Sequence, residues 1–527
     1  MKIANLLISL LICLPFFFSS CTTDKNDVSA VEELPYTEQY RPQFHFSPDS
    51  MWMNDPNGMV YYEGEYHLFY QHNPDRNVWG PMHWGHAIST DLVHWEHLPI
   101  ALYPDSLGTI FSGSAVIDWN NSSGLGSSKN PPMVAIFTHH NQKLAGEGSL
   151  QFQYQSIAYS LDKGRSWTKY HGNPVLKNPG IRDFRDPKVG WMESTGKWIL
   201  VLAAQDRVMF YSSPNLINWS YESEFGEDTG GHGGVWECPD LFPLEFNGER
   251  KWVLLVSINP GGPNGGSATQ YFVGDFNGSV FQNENPGKEP LWVDLGKDNY
   301  AGVTWSDIPP EDGRRLFLGW MSNWQYANKV PSQRWRNAMT LPRELILRQD
   351  EHGYFLNSVP IAETAQLRTK QFKLEPGFVT GRKNAASAIE DAYPLSEIDL
   401  VFEFDPEEEG GVEFGFILES NKHEKLIAAF NTLTRQVFIA RDSSGIIDFS
   451  EHFSGIHTAP YQVSKEGEIR FHAFVDLSSI ELFVDQGALV MTELYFPESG
   501  FEKIHLYSSK ESVRLKKGEI YTLKSIW

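Results

Sequence analysis

Between Tyr66 and Trp320 the chain returns five times to the same short apolar run. The runs are Tyr66-His67-Leu68-Phe69-Tyr70, Met133-Val134-Ala135-Ile136-Phe137, Trp198-Ile199-Leu200-Val201-Leu202, Trp252-Val253-Leu254-Leu255-Val256 and Leu316-Phe317-Leu318-Gly319-Trp320. Their starts lie 67, 65, 54 and 64 residues apart. Each is apolar without alternation and is bounded by Gly, Pro, Asn or Lys/Glu, which predicts a strand buried on both faces. A second pattern follows three of them: Ser89-Thr90-Asp91-Leu92-Val93-His94-Trp95, Ser212-Ser213-Pro214-Asn215-Leu216-Ile217-Asn218-Trp219 and, more loosely, Ser160-Leu161-Asp162-Lys163-Gly164-Arg165-Ser166-Trp167. It reads as a strand end, a polar turn and a Trp that opens the next strand. A repeat of roughly 60 residues has room for four strands and their loops, the size of one propeller blade.

Five copies predict a five-bladed β-propeller over residues 39–347. Residues 348–369 lack the pattern and read as a connector. From 370 to 527 the texture changes to plain alternation. Ile469, Phe471, Ala473 and Val475 alternate with polar partners, as do Ile480, Leu482 and Val484 ahead of the turn Asp485-Gln486-Gly487. Short alternating strands with turn signals predict an antiparallel β-sandwich. The fold class is therefore all-β, a propeller followed by a C-terminal sandwich, and the sandwich holds no cluster of chemical residues.

Residues 1–21 read as an export signal: Lys2, then an apolar stretch from Leu6 to Phe18 that is too short to span a bilayer comfortably. The stretch ends in Phe18-Ser19-Ser20-Cys21, similar to the lipobox at which bacterial lipoproteins are acylated on Cys, with Phe18 where Leu is usual. Residues 22–38 are polar and acidic and suit a tether. An exported protein, lipid-anchored to a bacterial membrane through Cys21, is the expectation. The formal charge of −23 repels polyanions, which argues against nucleic acid as a partner and confines membrane contact to the anchor. Three cysteines with no CxxC pair exclude a disulfide framework and a zinc ribbon.

In each repeat a polar motif precedes the apolar run at a similar distance. Asn54-Asp55 stands before Tyr66, Ser112 before Met133, Arg185-Asp186 before Trp198, Glu237 before Trp252 and Asp298 before Leu316. If these segments are the innermost strands, three carboxylates and their helpers share one end of the channel. Glycoside hydrolysis needs two carboxyl groups in different protonation states flanking one bond. Arg185 beside Asp186 favours an ionised Asp186, whereas apolar Val235, Trp236 and Cys238 around Glu237 suit a group that must hold a proton. His83 with His86, and His139 with His140, lack a nearby acid at ligand spacing, so no metal site is expected. Cys238 reads as a small packed residue.

The motifs Trp52-Met53-Asn54-Asp55-Pro56-Asn57-Gly58, Arg185-Asp186-Pro187 and Glu237-Cys238-Pro239 resemble those of glycoside hydrolase family 32, which contains invertases, inulinases and levanases. Gln71, Trp79-Gly80-Pro81, Phe111-Ser112-Gly113-Ser114, Asp298-Asn299-Tyr300-Ala301, Gly319-Trp320-Met321-Ser322-Asn323-Trp324 and Arg336 to Leu345 extend the resemblance over some 300 residues. It implies a five-bladed propeller with a β-sandwich, and retaining release of fructose from levan, inulin or sucrose. By the same resemblance Asp55 is the nucleophile, Asp186 the transition-state stabiliser and Glu237 the acid/base. Asn54, Gln71, Trp79, Ser112, Arg185, Asp298 and Trp320 bind substrate, and no metal or organic cofactor is implied. Exo action leads. Endo cleavage, fructosyl transfer through the same carboxylates and a non-catalytic fructan-binding protein are the alternatives.

Overall fold

The computed structural model describes residues 36–285, 287, 289–385, 395–464 and 466–527. The leader and Cys21 lie outside the described residues. Among the described residues the strands form seven sheets, and the one α-helix is the short Gln142–Gly146. Five sheets lie between Met51 and Pro360 and two beyond it.

The first five sheets are the blades of a propeller. Their innermost strands are Met51–Tyr62, Thr109–Ile117, Phe184–Met192, Val235–Phe246 and Tyr300–Thr304, and each touches the next in a closed ring. The ring is latched where Trp335–Arg336 adds to Met51–Tyr62 as a parallel strand from the far end of the domain. The five apolar runs are the second strand of every blade: Glu65–Asn73, Met133–His140, Lys197–Ala204, Glu249–Asn259 and Leu316–Met321. A second strand has a sheet neighbour on each side and another blade against each face, so it has no face left for polar residues.

The Ser/Asp-Trp pattern is a turn that leads from the third strand of a blade to its fourth. Asp91 Oδ1 accepts from the N–H groups of Val93 and His94 at 3.0 and 2.8 Å, and Asn215 Oδ1 accepts from Ile217 and Asn218 at 3.2 and 2.9 Å. Asp162 takes the N–H of Ser166 at 2.9 Å. The residue after each cap is left-handed, with φ of 64° at Leu92, 57° at Lys163 and 65° at Leu216. The short Asp or Asn side chain satisfies the turn locally.

The sandwich packs a seven-stranded sheet on a six-stranded one. Ile469, Phe471, Ala473 and Val475 face its core with Ile480, Leu482 and Val484, as alternation predicts. The opposite face of Ser479–Val484 is also buried, because it packs on the propeller: Phe474, Phe483 and Val490 share one core with Trp305 and Trp320. Charge crosses this interface as well. Arg343 of the fifth blade bonds Glu481 of the sandwich, and His45 lies 2.8 Å from both Glu481 and Asp476. Cut off from water, such groups require partners.

Candidate active site

All five innermost strands are broken by a β-bulge at the same level of the channel. In each, two residues oppose one residue of the second strand: Asn54-Asp55 against Gln71, Phe111-Ser112 against Thr138, Asp186-Pro187 against Leu202, Cys238-Pro239 against Val256, and Ala301-Gly302 against Gly319. A bulge bends its strand and re-aims a side chain that the pleat would send elsewhere. Asp186, Cys238 and Ala301 open theirs with φ of 63°, 45° and 54°, conformations that an L-residue adopts at a cost. Five aligned bulges turn Asp55, Ser112, Asp186 and Glu237 towards one cavity of about 450 Å³.

Neutral donors hold Asp55. Asn54 Nδ2 donates to Oδ1 at 3.0 Å and the Ser112 hydroxyl donates to Oδ2 at 2.9 Å. Asn54 is itself fixed by the Trp52 indole N–H, 2.7 Å from its Oδ1. Burial, and then the charge of Glu237, raise the Asp55 carboxyl above its ordinary range, and the Asn54 and Ser112 bonds oppose the rise. Asp186 Oδ2 accepts the Cys238 N–H at 3.1 Å. Its own N–H donates to Thr138 Oγ1 at 3.0 Å.

Arg185 favours an ionised Asp186, as its place in the sequence predicts, but its closest contacts lie elsewhere. Its guanidinium meets Glu237 Oε1 at 2.9 Å and Asp183 Oδ1 at 2.7 Å, and stays 3.8 Å from Asp186. Burial therefore dominates at Asp186, and its carboxyl is raised to about 7 rather than lowered; Arg185 opposes the rise, and Glu237 and Asp55 add to it. The apolar surroundings expected of Glu237 are also absent. Trp236 points out of the channel into the core between blades, beside Phe272, while the Glu237 side chain keeps 20% of its surface exposed. Arg185 and the Tyr300 hydroxyl bond Glu237 instead.

Gln71, Trp79, Ser112 and Arg185 line the cavity with Asn54 and the three carboxylates. Trp79 stands on the rim, 42% exposed, and its backbone N–H is tied to Asn328 Oδ1 at 2.9 Å. Asp298 and Trp320 do not line it. Asp298 is fully buried at the sandwich interface, with both oxygens engaged by Tyr326, Arg441 and the Leu494 N–H. Trp320 lies one layer back, behind Trp52 and Trp324. Trp324 lines the cavity in the place of Trp320.

Sequence reasoning passed over Tyr300, Trp324, and a wall of Phe111, His140 and Phe152. The His140 ring stacks on Phe111 at 4.4 Å, and burial lowers it to about 4, so it is neutral at physiological pH. Tyr300 precedes Leu316 by the same distance, to within one residue, as Glu237 precedes Trp252. That offset was the signal that could have found it. Among the described residues no group of three His, Cys, Asp or Glu side chains is arranged to hold a metal ion.

Residues 45–358 match the glycosyl hydrolases family 32 N-terminal domain, and residues 363–522 match the glycosyl hydrolases family 32 C-terminal domain. A levanase of Bacillus subtilis (strain 168) is 48% identical over 523 residues, which span 98% of this chain and 75% of that enzyme. An extracellular exo-inulinase of Aspergillus awamori is 37% identical over 522 residues, 93% of this chain and 96% of that enzyme. The crystal structure of exo-inulinase from Aspergillus awamori superposes with a TM-score of 0.83 at 34% identity, covering 94% of this chain and all of that one. A fructofuranosidase from Schwanniomyces occidentalis in complex with fructosylnystose gives a TM-score of 0.83 at 31% identity, covering 93% and 99%.

Proposed function

The chain belongs to glycosyl hydrolase family 32, and from that premise we propose that it removes fructose from the ends of fructan chains with retention of configuration. It is a fructan-hydrolysing glycoside hydrolase, as its levanase and exo-inulinase relatives are named. The observation that carries the assignment of roles is the convergence of Asp55, Asp186 and Glu237, from three different blades, on one cavity. Neutral donors hold Asp55, whereas Arg185 and Tyr300 hold Glu237, so the two carboxyl groups have different partners.

Asp55, aligned by Asn54 and Ser112, attacks the anomeric carbon of the terminal fructosyl unit. A C–O ester bond forms as the glycosidic C–O bond breaks, and Glu237 gives its proton to the departing oxygen. Glu237, now a carboxylate, then takes a proton from water as that water attacks the same carbon and releases Asp55. Asp186 faces the sugar ring and stabilises the positive charge that develops in both steps. Gln71 and Arg185 offer further polar contacts to the fructosyl unit, and Trp79 and Trp324 offer aromatic surface. The exo-inulinase relatives and a partly exposed Trp79 on the pocket rim support exo action.

Product analysis tests this reading. Purified protein incubated with levan, inulin or sucrose should yield fructose as the only early product. Asp55→Asn should lower the rate by at least about 10³-fold while the protein still binds a fructo-oligosaccharide. Early oligosaccharides would instead mean endo cleavage, and longer chains would mean transfer to sugar. The chain is exported. We further infer acylation at Cys21, which mass analysis of the membrane-bound form against Cys21→Ala would reveal or refute.

A further inference from the structure

The channel has a second chemical layer beneath the carboxylates. Lys188 stands two residues beyond Asp186 and Asp240 three beyond Glu237, on the same innermost strands. Lys188 Nζ reaches Asp240 Oδ2 at 3.1 Å and the Thr304 carbonyl at 2.5 Å, and Thr304 donates to the same Oδ2 through its N–H and hydroxyl. This layer borders a separate cavity of about 450 Å³ at the end of the propeller away from Asp55.

The wall of that cavity holds unspent hydrogen-bonding capacity of both signs. Asp240 Oδ1, Arg315 Nε and Trp191 Nε1 are buried and have no protein partner. Asp240 is fully buried, and a buried polar atom without a partner calls for one. Three around one cavity, an acceptor and two donors, suit a ligand that carries hydroxyl groups. Lys188 is matched by Asp240, and the rest of the lining mixes both signs, Arg250 and Arg315 with Asp118, Glu193 and Asp307.

The rim adds an aromatic platform. Trp119 is 55% exposed, yet it is held: its indole N–H donates to Asp307 Oδ1 at 2.9 Å. The turn behind it is fastened by Asp118, whose two oxygens accept the N–H and hydroxyl of Ser122 and of Ser123 at 2.7–2.9 Å. Trp198 donates to Ser122 Oγ from beneath, at 2.9 Å. The ring rests on Tyr62 at 5.7 Å, yet leaving more than half of it in water forgoes hydrophobic stabilisation. A fixed ring beside paired donors and acceptors is what binding a sugar requires.

We propose that this cavity is a second carbohydrate site, which takes one or two units of a neutral polysaccharide with an apolar sugar face on Trp119 and hydroxyls at Asp240 and Arg315. That the polymer is a fructan rests on the function proposed above; that the cavity takes a neutral polyol does not. A chain held at this end keeps its termini at high local concentration near the catalytic cavity.

Native-gel electrophoresis in levan, inulin or dextran, run with the full chain and with Trp119→Ala, tests the site. The fructan gels should retard the parent chain. Trp119→Ala should weaken its apparent affinity about three- to tenfold. Hydrolysis of a short fructo-oligosaccharide should be unchanged, which also reports that the variant folds. Trp119→Phe should recover part of the retardation. Equal retardation of parent and Trp119→Ala, with hydrolysis intact, overturns the site. Retardation by dextran alone, lost in Trp119→Ala, supports a sugar site and overturns its fructan ligand. A parent that hydrolyses fructans but is retarded by none of the gels overturns the second site and leaves the catalytic reading standing.

Discussion

Asp55 and Asp186 face the same sulfur: Cys238 Sγ lies 3.6 Å from Oδ2 of the first and 3.7 Å from Oδ2 of the second. Burial, followed by the charges of Asp186 and Asp55, pushes this thiol well above its ordinary range, so it stays protonated and acts as a weak donor. Iodoacetamide at pH 8 should leave Cys238 unmodified in the native protein and alkylate it after unfolding in urea, as mass analysis of its peptide would read. Cys238→Ala should lower kcat about three- to tenfold, the worth of one modest hydrogen bond. Rapid alkylation of native protein would show that the thiol is ionised or reachable.

The raised carboxyl of Asp186 makes a prediction about stability. Folded Asp186 binds its proton more tightly than unfolded Asp186, about 7 against 3.8. Its contribution to stability is therefore complete below the ordinary value and is lost as pH rises through about 7. Asp186→Asn, which carries no charge to bury, should gain on the parent as pH rises. Calorimetry should find a Tm difference at pH 8 more favourable to the variant than at pH 4, by on the order of 2–4 °C. The same difference at both pH values would mean that Asp186 is not protonated in the folded state.

Tyr300 donates its hydroxyl to Glu237 and does not line the cavity. It acts through the acid, as a positioning residue. Glu237 becomes a carboxylate as it gives up its proton, and a hydrogen bond to a charged group is worth about 1.5–3 kcal/mol, so Tyr300→Phe should lower kcat about 10- to 100-fold with little change in KM. A raised KM with kcat intact would place the hydroxyl on the sugar.

The blades were legible because their second strands are enclosed on both faces, which leaves an unbroken apolar run that no other arrangement of these residues explains. The sandwich showed in plain alternation wherever its outer face meets water. Alternation misled at Glu481 and Phe483, since the face that it marks as open is covered by the propeller, and Glu481 is neutralised by Arg343, a residue 138 positions away. At the site, chemistry was legible by residue and contacts were not. Arg185 next to Asp186 in sequence reads as a tight ion pair; in the fold the guanidinium stays 3.8 Å from Asp186 and makes its closer bonds to Glu237 and Asp183. Trp236 next to Glu237 implied apolar surroundings for the acid, but successive strand residues face opposite ways.

Asp298 is the sharpest test of that difference between motif and contact. Its place before the fifth apolar run suggests a substrate ligand, yet its oxygens are spent on Tyr326 Oη at 2.5 Å, Arg441 Nη1 at 2.5 Å and the Leu494 N–H at 2.9 Å. Arg441 belongs to the sandwich and also meets Glu493 at 2.9 Å, so the pair clamps the two domains with fully buried charge. Breaking such a buried network from one side costs up to about 3–5 kcal/mol, because a surviving charge loses a partner, although Arg441 keeps Glu493 and Asp298 keeps Tyr326 and the Leu494 N–H. Asp298→Asn and Arg441→Met should each lower Tm by several degrees while KM for a short fructan changes by less than about twofold. The double variant should be less destabilised than the two single losses added together, since the Asp298–Arg441 bond is lost only once. A tenfold rise in KM for Asp298→Asn, with Tm unchanged, would return the residue to the sugar and undo the clamp.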